Sequence, residues 1–182
     1  YENNKKIQEF RRNGNIFMLS SGRSFNSLKK MCEKYKIEYD YLSCGDGSVL
    51  YDKNDNILIK YNLSENILDK FIQLKDFVDV EFIQYSYPDD YYQEYLDNNL
   101  IGLNLVIRNE FINQAFLTEF EKLKHTYQDF DFLIYSHDNI SYFWLKNKGI
   151  NKSSTVKFLQ NKFNLLDEFI YTIGDNDNDY DM

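Results

Sequence analysis

Four consecutive apolar residues, Ile16-Phe17-Met18-Leu19, run directly into Ser20-Ser21-Gly22-Arg23. A segment with Phe25, Leu28, Met31, Cys32 and Tyr35 at helical spacing follows. An apolar run without polar alternation is the pattern of a strand covered on both faces, as in a parallel sheet. Tyr39-Asp40-Tyr41-Leu42-Ser43 reads as a second strand, ending in Cys44-Gly45-Asp46-Gly47-Ser48. Upstream, residues 2–12 read as a helix with Ile7 and Phe10 inward, closed by Gly14 at the position a C-terminal cap favours. Helix, strand, helix, strand in this order predicts an α/β fold built on a doubly wound, Rossmann-like parallel sheet.

The pattern changes after Ser48. Val49-Leu50-Tyr51 and Ile57-Leu58-Ile59-Lys60-Tyr61 flank Asp52-Lys53-Asn54-Asp55-Asn56, a hairpin signal. Helices are expected over 64–77 and 113–127, strands over 78–87 and 101–107, and a second hairpin around His137-Asp138-Asn139. These elements suggest a separate α+β unit of roughly 95 residues, a workable size for a small domain. After Lys146 the first pattern returns. Ser153 or Ser154 can cap a helix carrying Val156, Leu159 and Phe163, and Phe169–Ile173 reads as a last buried strand. The expected division is a core over 1–48 and 147–182, with an inserted α+β cap over 49–146.

Composition narrows the classes of partner. The 182 residues are 43% hydrophobic and 18% aromatic, enough for a core, so disorder is not expected. The net charge of −8 and the lack of any Lys/Arg block argue against a nucleic-acid partner. No apolar run reaches membrane-spanning length, so no membrane partner is expected. Cys32 and Cys44 have no metal-ligand spacing and read as reduced, buried thiols of a cytoplasmic protein. His125 and His137 stand apart from Cys and carboxylates at ligand spacing, and read as surface residues. Tyr142, Phe143 and Trp144 read as packing. Residues 85–92 read as a polar, aromatic surface loop, with a substrate-facing role as the alternative.

The chemistry concentrates at the end of the chain, in Gly174-Asp175-Asn176-Asp177-Asn178-Asp179-Tyr180-Asp181-Met182. A strand that ends there would release carboxylates at the edge of a sheet where α/β proteins bind ligands. Mg²⁺ is held by one or two carboxylates plus substrate phosphate oxygens. A calcium loop fits poorly, because its sixth position would be Tyr180 rather than Gly. A solvated acidic turn is the plain alternative, and the metal reading needs partners elsewhere. Ser21, Gly22 and Arg23 supply a hydroxyl and backbone N–H groups at a helix start, an anion site. Lys152, in Lys148-Gly149-Ile150-Asn151-Lys152-Ser153, supplies a point charge suited to phosphate.

In this order the segments resemble motifs of the haloacid dehalogenase superfamily, and within it the Cof-type sugar-phosphatase branch. Met18-Leu19-Ser20-Ser21-Gly22-Arg23-Ser24 is similar to the second motif of that family, and Gly149-Ile150-Asn151-Lys152 to the third. Gly45-Asp46-Gly47-Ser48 resembles the turn that leads into an inserted cap. Gly174 to Met182 matches the fourth motif, Gly-Asp-x-x-Asn-Asp-x-x-Met, at every fixed position. The resemblance implies Mg²⁺-dependent hydrolysis of a small phosphorylated metabolite, such as a sugar phosphate, through an aspartyl-phosphate intermediate. It also implies roles: Ser21, Gly22 and Lys152 on the phosphate, Asp175 and Asp179 on the metal, Asn178 supporting that ligation, and Arg23 and Asp46 on substrate. A cap of this kind would close over the site and exclude bulk water.

The Asp-x-Asp-Gly-Thr first motif of the family, which supplies the nucleophile, is absent from the sequence. Both ends of the sequence read as cut, and the nucleophile is expected before Tyr1, on a strand and loop of roughly 15–20 residues. The chain alone is then expected to be inactive. A phosphomutase of the same superfamily, or a catalytically silent binding protein without the nucleophile, are the alternatives.

Overall fold

The computed structural model describes residues 2–174 together with Asp179 and Tyr180. The chain divides into two compact units, Tyr1–Lys60 with Ile150–Met182, and Tyr61–Gly149.

The first unit has the α/β class expected. Its sheet has the order β1 (Met18–Ser20), β2 (Tyr41–Cys44), β3 (Val49–Asp52), β4 (Ile57–Lys60). β1 and β2 are parallel, with Ser20 opposite Ser43, and helix α2 (Phe25–Tyr35) is the crossover that a parallel pair requires. Ser24 caps α2, its hydroxyl accepting from the Ser27 N–H, so the helix starts immediately after Ser21-Gly22-Arg23. β3 and β4 continue the sheet antiparallel. The hairpin at 49–60 therefore belongs to this unit, and the boundary falls at 60/61 and 149/150 rather than at 48/49 and 146/147. A hairpin signal fixes two strands against each other; it does not say which sheet they join. Here the ladder from Tyr41↔Asp52 to Cys44↔Val49 decides. The core gathers Leu28, Leu42, Val49 and Leu50, with Phe25 stacked on Tyr51 at 4.0 Å.

Two expectations fail in this unit. Helix α1 (Glu2–Arg12) forms, but none of its residues is buried and Phe10 is exposed. A polar stripe at helical spacing holds it instead. Asn4 donates to the Tyr35 carbonyl, Gln8 Nε2 to Glu38 at 2.9 Å, and Arg11 to both Glu38 and Asp40. The second failure is at Phe169–Ile173, expected as a buried strand. A 3₁₀ turn occupies Asp167–Phe169, and residues 170–174 carry no regular structure. Tyr171 is 85% and Ile173 95% exposed. Among the described residues no strand pairs with this segment, and an apolar run becomes a strand only where a ladder partner takes its backbone groups.

Arg11 and Asp40 carry a testable part of this unit's stability. The guanidinium grips both carboxylate oxygens, Nε at 3.0 Å and Nη2 at 2.8 Å, while the Phe17 N–H donates to the same carboxylate at 2.9 Å. Burial pushes the Asp40 carboxyl upward; the Arg11 bonds, the Phe17 N–H and the nearby positive charge outweigh it and leave it below the ordinary 3.8. A value depressed by folding contributes stability above the unfolded value, and that contribution is lost as pH falls through the folded one. Asp40→Asn is therefore expected to cost about 1–2 kcal/mol at neutral pH. Urea unfolding of wild type and variant should converge in acid; an undiminished gap there would refute the account.

The second unit is an antiparallel sheet in the order β6 (Tyr91–Tyr92), β5 (Phe82–Ser86), β7 (Gly102–Arg108), β9 (Ile140–Asn147), β8 (Phe130–His137). Helices α3 (Glu65–Ile72) and α4 (Gln114–Thr126) cover one face. Between them and the sheet lies an aromatic core in which Phe116 meets Phe143 edge-on at 4.7 Å and Phe120 meets Phe132 at 5.7 Å. The α+β character agrees with expectation. The strand expected over 78–87 begins only at Phe82: a 3₁₀ segment, Gln73–Phe77, extends α3, and residues 78–81 carry no regular structure. Asn147 Nδ2 donates to the carbonyls of Tyr61 and Asn62 at 3.2 and 3.0 Å, fastening the last strand to the start of the unit. Within 85–92, Tyr85 and Tyr87 are core residues, and the Tyr87 hydroxyl accepts from the N–H groups of Leu96 and Asp97. Their aromatic rings are spent on packing. His137, the last residue of β8, is exposed beside Asp138 of the turn, as expected of a surface residue.

Candidate active site

Parallel pairing of β1 and β2 sends both strands out at one edge, so the chain after Ser20 and the chain after Cys44 start side by side. They are laced together by backbone. Ser21 N–H donates to Ser43 O at 2.9 Å, Gly45 N–H to Arg23 O at 3.0 Å, and Asp46 N–H to Ser21 O at 3.2 Å. The Ser21 hydroxyl accepts from the Arg23 N–H at 3.2 Å, curling the loop at the positive end of α2. Gly45, Asp46 and Gly47 all take left-handed φ, at 56°, 51° and 88°. That run turns the buried Asp46 carboxylate back onto Gly22, where a Cβ would stand 3.2 Å from both of its oxygens.

The same turn meets helix α5 (Lys152–Phe163). A Cβ on Gly47 would lie 1.9 Å from the Asn151 carbonyl oxygen, so the absent side chain is what allows α5 to begin there. Asn151 caps the helix, its side chain accepting from Ser153 N–H, with Ser154 closing a reciprocal capping box. The cap expected at Ser153 or Ser154 therefore falls at Asn151. Three neighbouring residues could each cap, and the close approach at Gly47 selects the first.

Lys152, the first residue of α5, is buried. Its ammonium donates to Asp179 Oδ1 at 2.5 Å, with side chains 9% and 11% exposed. Asp179 in turn packs on Gly174, where a Cβ would come within 2.2 Å of Asp179 Cβ. A continuous series of contacts thus runs from Ser21 and Gly22 through Asp46 and Gly47 to Asn151, Lys152, Asp179 and Gly174. Arg23 joins it through its backbone, with an exposed side chain. Asp175 and Asn178, the other candidates, lie outside the described residues. Four buried or half-buried residues that sequence reasoning passed over support the series: Gly47, Asn151, Ser43 and Thr155. The closely spaced Gly45-Asp46-Gly47 was the one signal for Gly47.

The donors suit a hard cation. The described site residues offer carboxylate oxygens from Asp46 and Asp179, the ligand type Mg²⁺ takes. The thiol at the start of the turn does not compete. Burial pushes Cys44 up to about 12, so it stays protonated and is no thiolate ligand. Among the described residues no group of three or more His, Cys, Asp or Glu side chains forms a metal cage.

Comparison with known proteins agrees with this architecture. The profile of the haloacid dehalogenase-like hydrolase family matches residues 1–182. The chain belongs to that family, as the Cof-type motifs indicate. A Buchnera aphidicola (subsp. Acyrthosiphon pisum) protein named as a putative phosphatase is 33% identical over 88 residues, which cover 48% of this chain. That match spans about a third of the relative's own length, 31%. Among solved structures, a protein from Eubacterium rectale superposes with a TM-score of 0.77 at 20% identity, covering 98% of this chain and 74% of its own. The subclass IIB sugar phosphatase BT4131 superposes with a TM-score of 0.59 at 10% identity, covering 89% and 68%. At those identities the likeness is one of fold. No helix of the described residues is long and apolar enough to cross a membrane.

Proposed function

We propose that the protein is a cytoplasmic, Mg²⁺-dependent phosphomonoester hydrolase acting on a small phosphorylated metabolite such as a sugar phosphate. The observation that carries this reading is the contact series from Ser21 to Asp179, with a buried ammonium at its centre. The Ser21 hydroxyl and the Gly22 backbone bind phosphate oxygens at the start of α2. Lys152 neutralises charge on the phosphoryl group as it transfers. Asp46 and the Arg23 side chain meet the rest of the substrate. Asp175 and Asp179 hold Mg²⁺, with Asn178 supporting them. When bound, the cation adds charge stabilisation to the phosphoryl oxygens.

Hydrolysis goes in two steps. A carboxylate oxygen bonds to phosphorus as the P–O bond to the alcohol breaks, and the departing alkoxide takes a proton from solvent; water then attacks the aspartyl phosphate, giving inorganic phosphate and the free carboxylate and returning a proton to solvent. We assign that nucleophile to none of residues 1–182. The test is phosphate release by the full protein from a panel of sugar phosphates, nucleotides and phosphorylated cofactors. The expected result is release with Mg²⁺ and none with EDTA. Conversion of one sugar phosphate into an isomer without free phosphate would replace this reading with a mutase. Failure to turn over any phosphomonoester would overturn it in favour of a silent binding protein.

A further inference from the structure

Beneath the series just described lies a run of hydroxyls that the reaction does not use. Ser20 Oγ is 3.3 Å from Ser43 Oγ, and Ser43 Oγ is 2.8 Å from Thr155 Oγ1. Thr155 Oγ1 also lies 3.1 Å from the Lys152 carbonyl oxygen. Ser43 and Thr155 are fully buried. They come from β2 and α5, 112 residues apart in sequence. Each hydroxyl carries one proton and two lone pairs. Ser43 Oγ accepts from Ser20 and from Thr155, whose single proton is shared between Ser43 Oγ and the Lys152 carbonyl.

A polar link in this place needs a reason. Two buried hydroxyls cost desolvation, and an apolar pair of the same shape is nearly neutral for stability. A hydrogen bond differs from an apolar contact in fixing direction. This one binds the first turn of α5 to β2 on one side, while the close approach of Asn151 to Gly47 fixes it on the other. Held at two points, the turn cannot rotate about its axis, and rotation is the motion that would swing the Lys152 side chain away from Asp179. Ser43 also accepts the Ser21 N–H through its carbonyl. One buried residue thus touches both the phosphate loop and the helix that carries the ammonium.

We propose that Thr155 and Ser43 are positioning residues that set the Lys152 ammonium against the phosphate loop. The proposal rests on the function given above for Lys152. Thr155→Val keeps the shape and removes the hydroxyl. Thr155→Ser keeps the hydroxyl. In the full protein, Thr155→Val is expected to lower kcat about 10-fold with KM little changed, the scale seen when a group behind a site residue is lost. Thr155→Ser should restore kcat to within about twofold of wild type, and Ser43→Ala should act in the same direction as Thr155→Val.

A second readout does not depend on turnover. In protein labelled with ¹⁵N-lysine, the Lys152 ammonium signal, assigned by its loss in Lys152→Met, should shift or broaden away in Thr155→Val and return in Thr155→Ser. An unmoved signal in both Thr155→Val and Ser43→Ala, with only the unfolding midpoint lowered, would overturn the proposal and reduce the hydroxyls to packing. A moved signal in a protein that hydrolyses no phosphomonoester would keep the positioning role and refute the phosphatase reading.

Discussion

Lys152→Met is expected to lower kcat for phosphomonoester hydrolysis by about 10²–10³-fold, the loss typical when one fixed donor to a charged transition state is removed. The physical ground is burial. An ammonium held out of water interacts far more strongly with a phosphoryl group than a surface lysine does, because water no longer screens it. The same burial makes the substitution costly for folding. Asp179 would be left as a carboxylate 11% exposed without its cation, and breaking a buried pair from one side costs about 3–5 kcal/mol. The two effects separate in a double variant. Lys152→Met with Asp179→Asn should regain most of the stability and none of the activity, measured by urea unfolding in EDTA and by phosphate release in Mg²⁺. A Lys152→Met enzyme that keeps wild-type kcat would end the assignment.

Gly47→Ala is the second large effect, and it acts on structure first. A left-handed residue with a Cβ costs about 1–2 kcal/mol by itself. Gly14 shares almost the same φ, +85° against +88°, but has nothing within 4 Å of a built Cβ. Gly14→Ala is therefore the internal control, expected to cost only that conformational amount. At Gly47 the new methyl group would overlap the Asn151 carbonyl at 1.9 Å. Relief requires α5 to withdraw, with Lys152 moving alongside. The expected loss is about 3–5 kcal/mol, the range of severe backbone and packing disruptions. Equal losses for the two alanine variants would show that the contact between turn and helix carries no weight.

Much of this architecture could be read from residue order. Periodicity marked α2 and α4, each with apolar residues at helical spacing, and the turn His137-Asp138-Asn139 marked the hairpin of β8 and β9. The meeting of Ser21 and Asp46 was legible once β1 and β2 were read as parallel, since parallel strands deliver their following loops to one edge; Lys152 follows no strand of that sheet and is brought to the turn by the close approach of Asn151 to Gly47. What stayed hidden depended on partners. Phe169–Ile173 has the composition of a strand, but composition cannot supply a neighbour. Phe10 has the helical position of a core residue, yet the stripe of Asn4, Gln8 and Arg11 decides which side of α1 turns inward. Ser43 and Thr155 carry no motif. Their meaning arises from a contact across 112 residues that no local pattern announces.

The clasp of Asn147 on Tyr61 and Asn62 has a bearing on how such proteins diversify. The chain leaves the 61–149 unit within bonding reach of where it entered, so the unit is a module with adjacent ends. Exchange of that module for another of different length or shape would need only the two joins at 60/61 and 149/150 to be kept. Insertion or replacement at that point would alter the second unit without breaking a strand of the first.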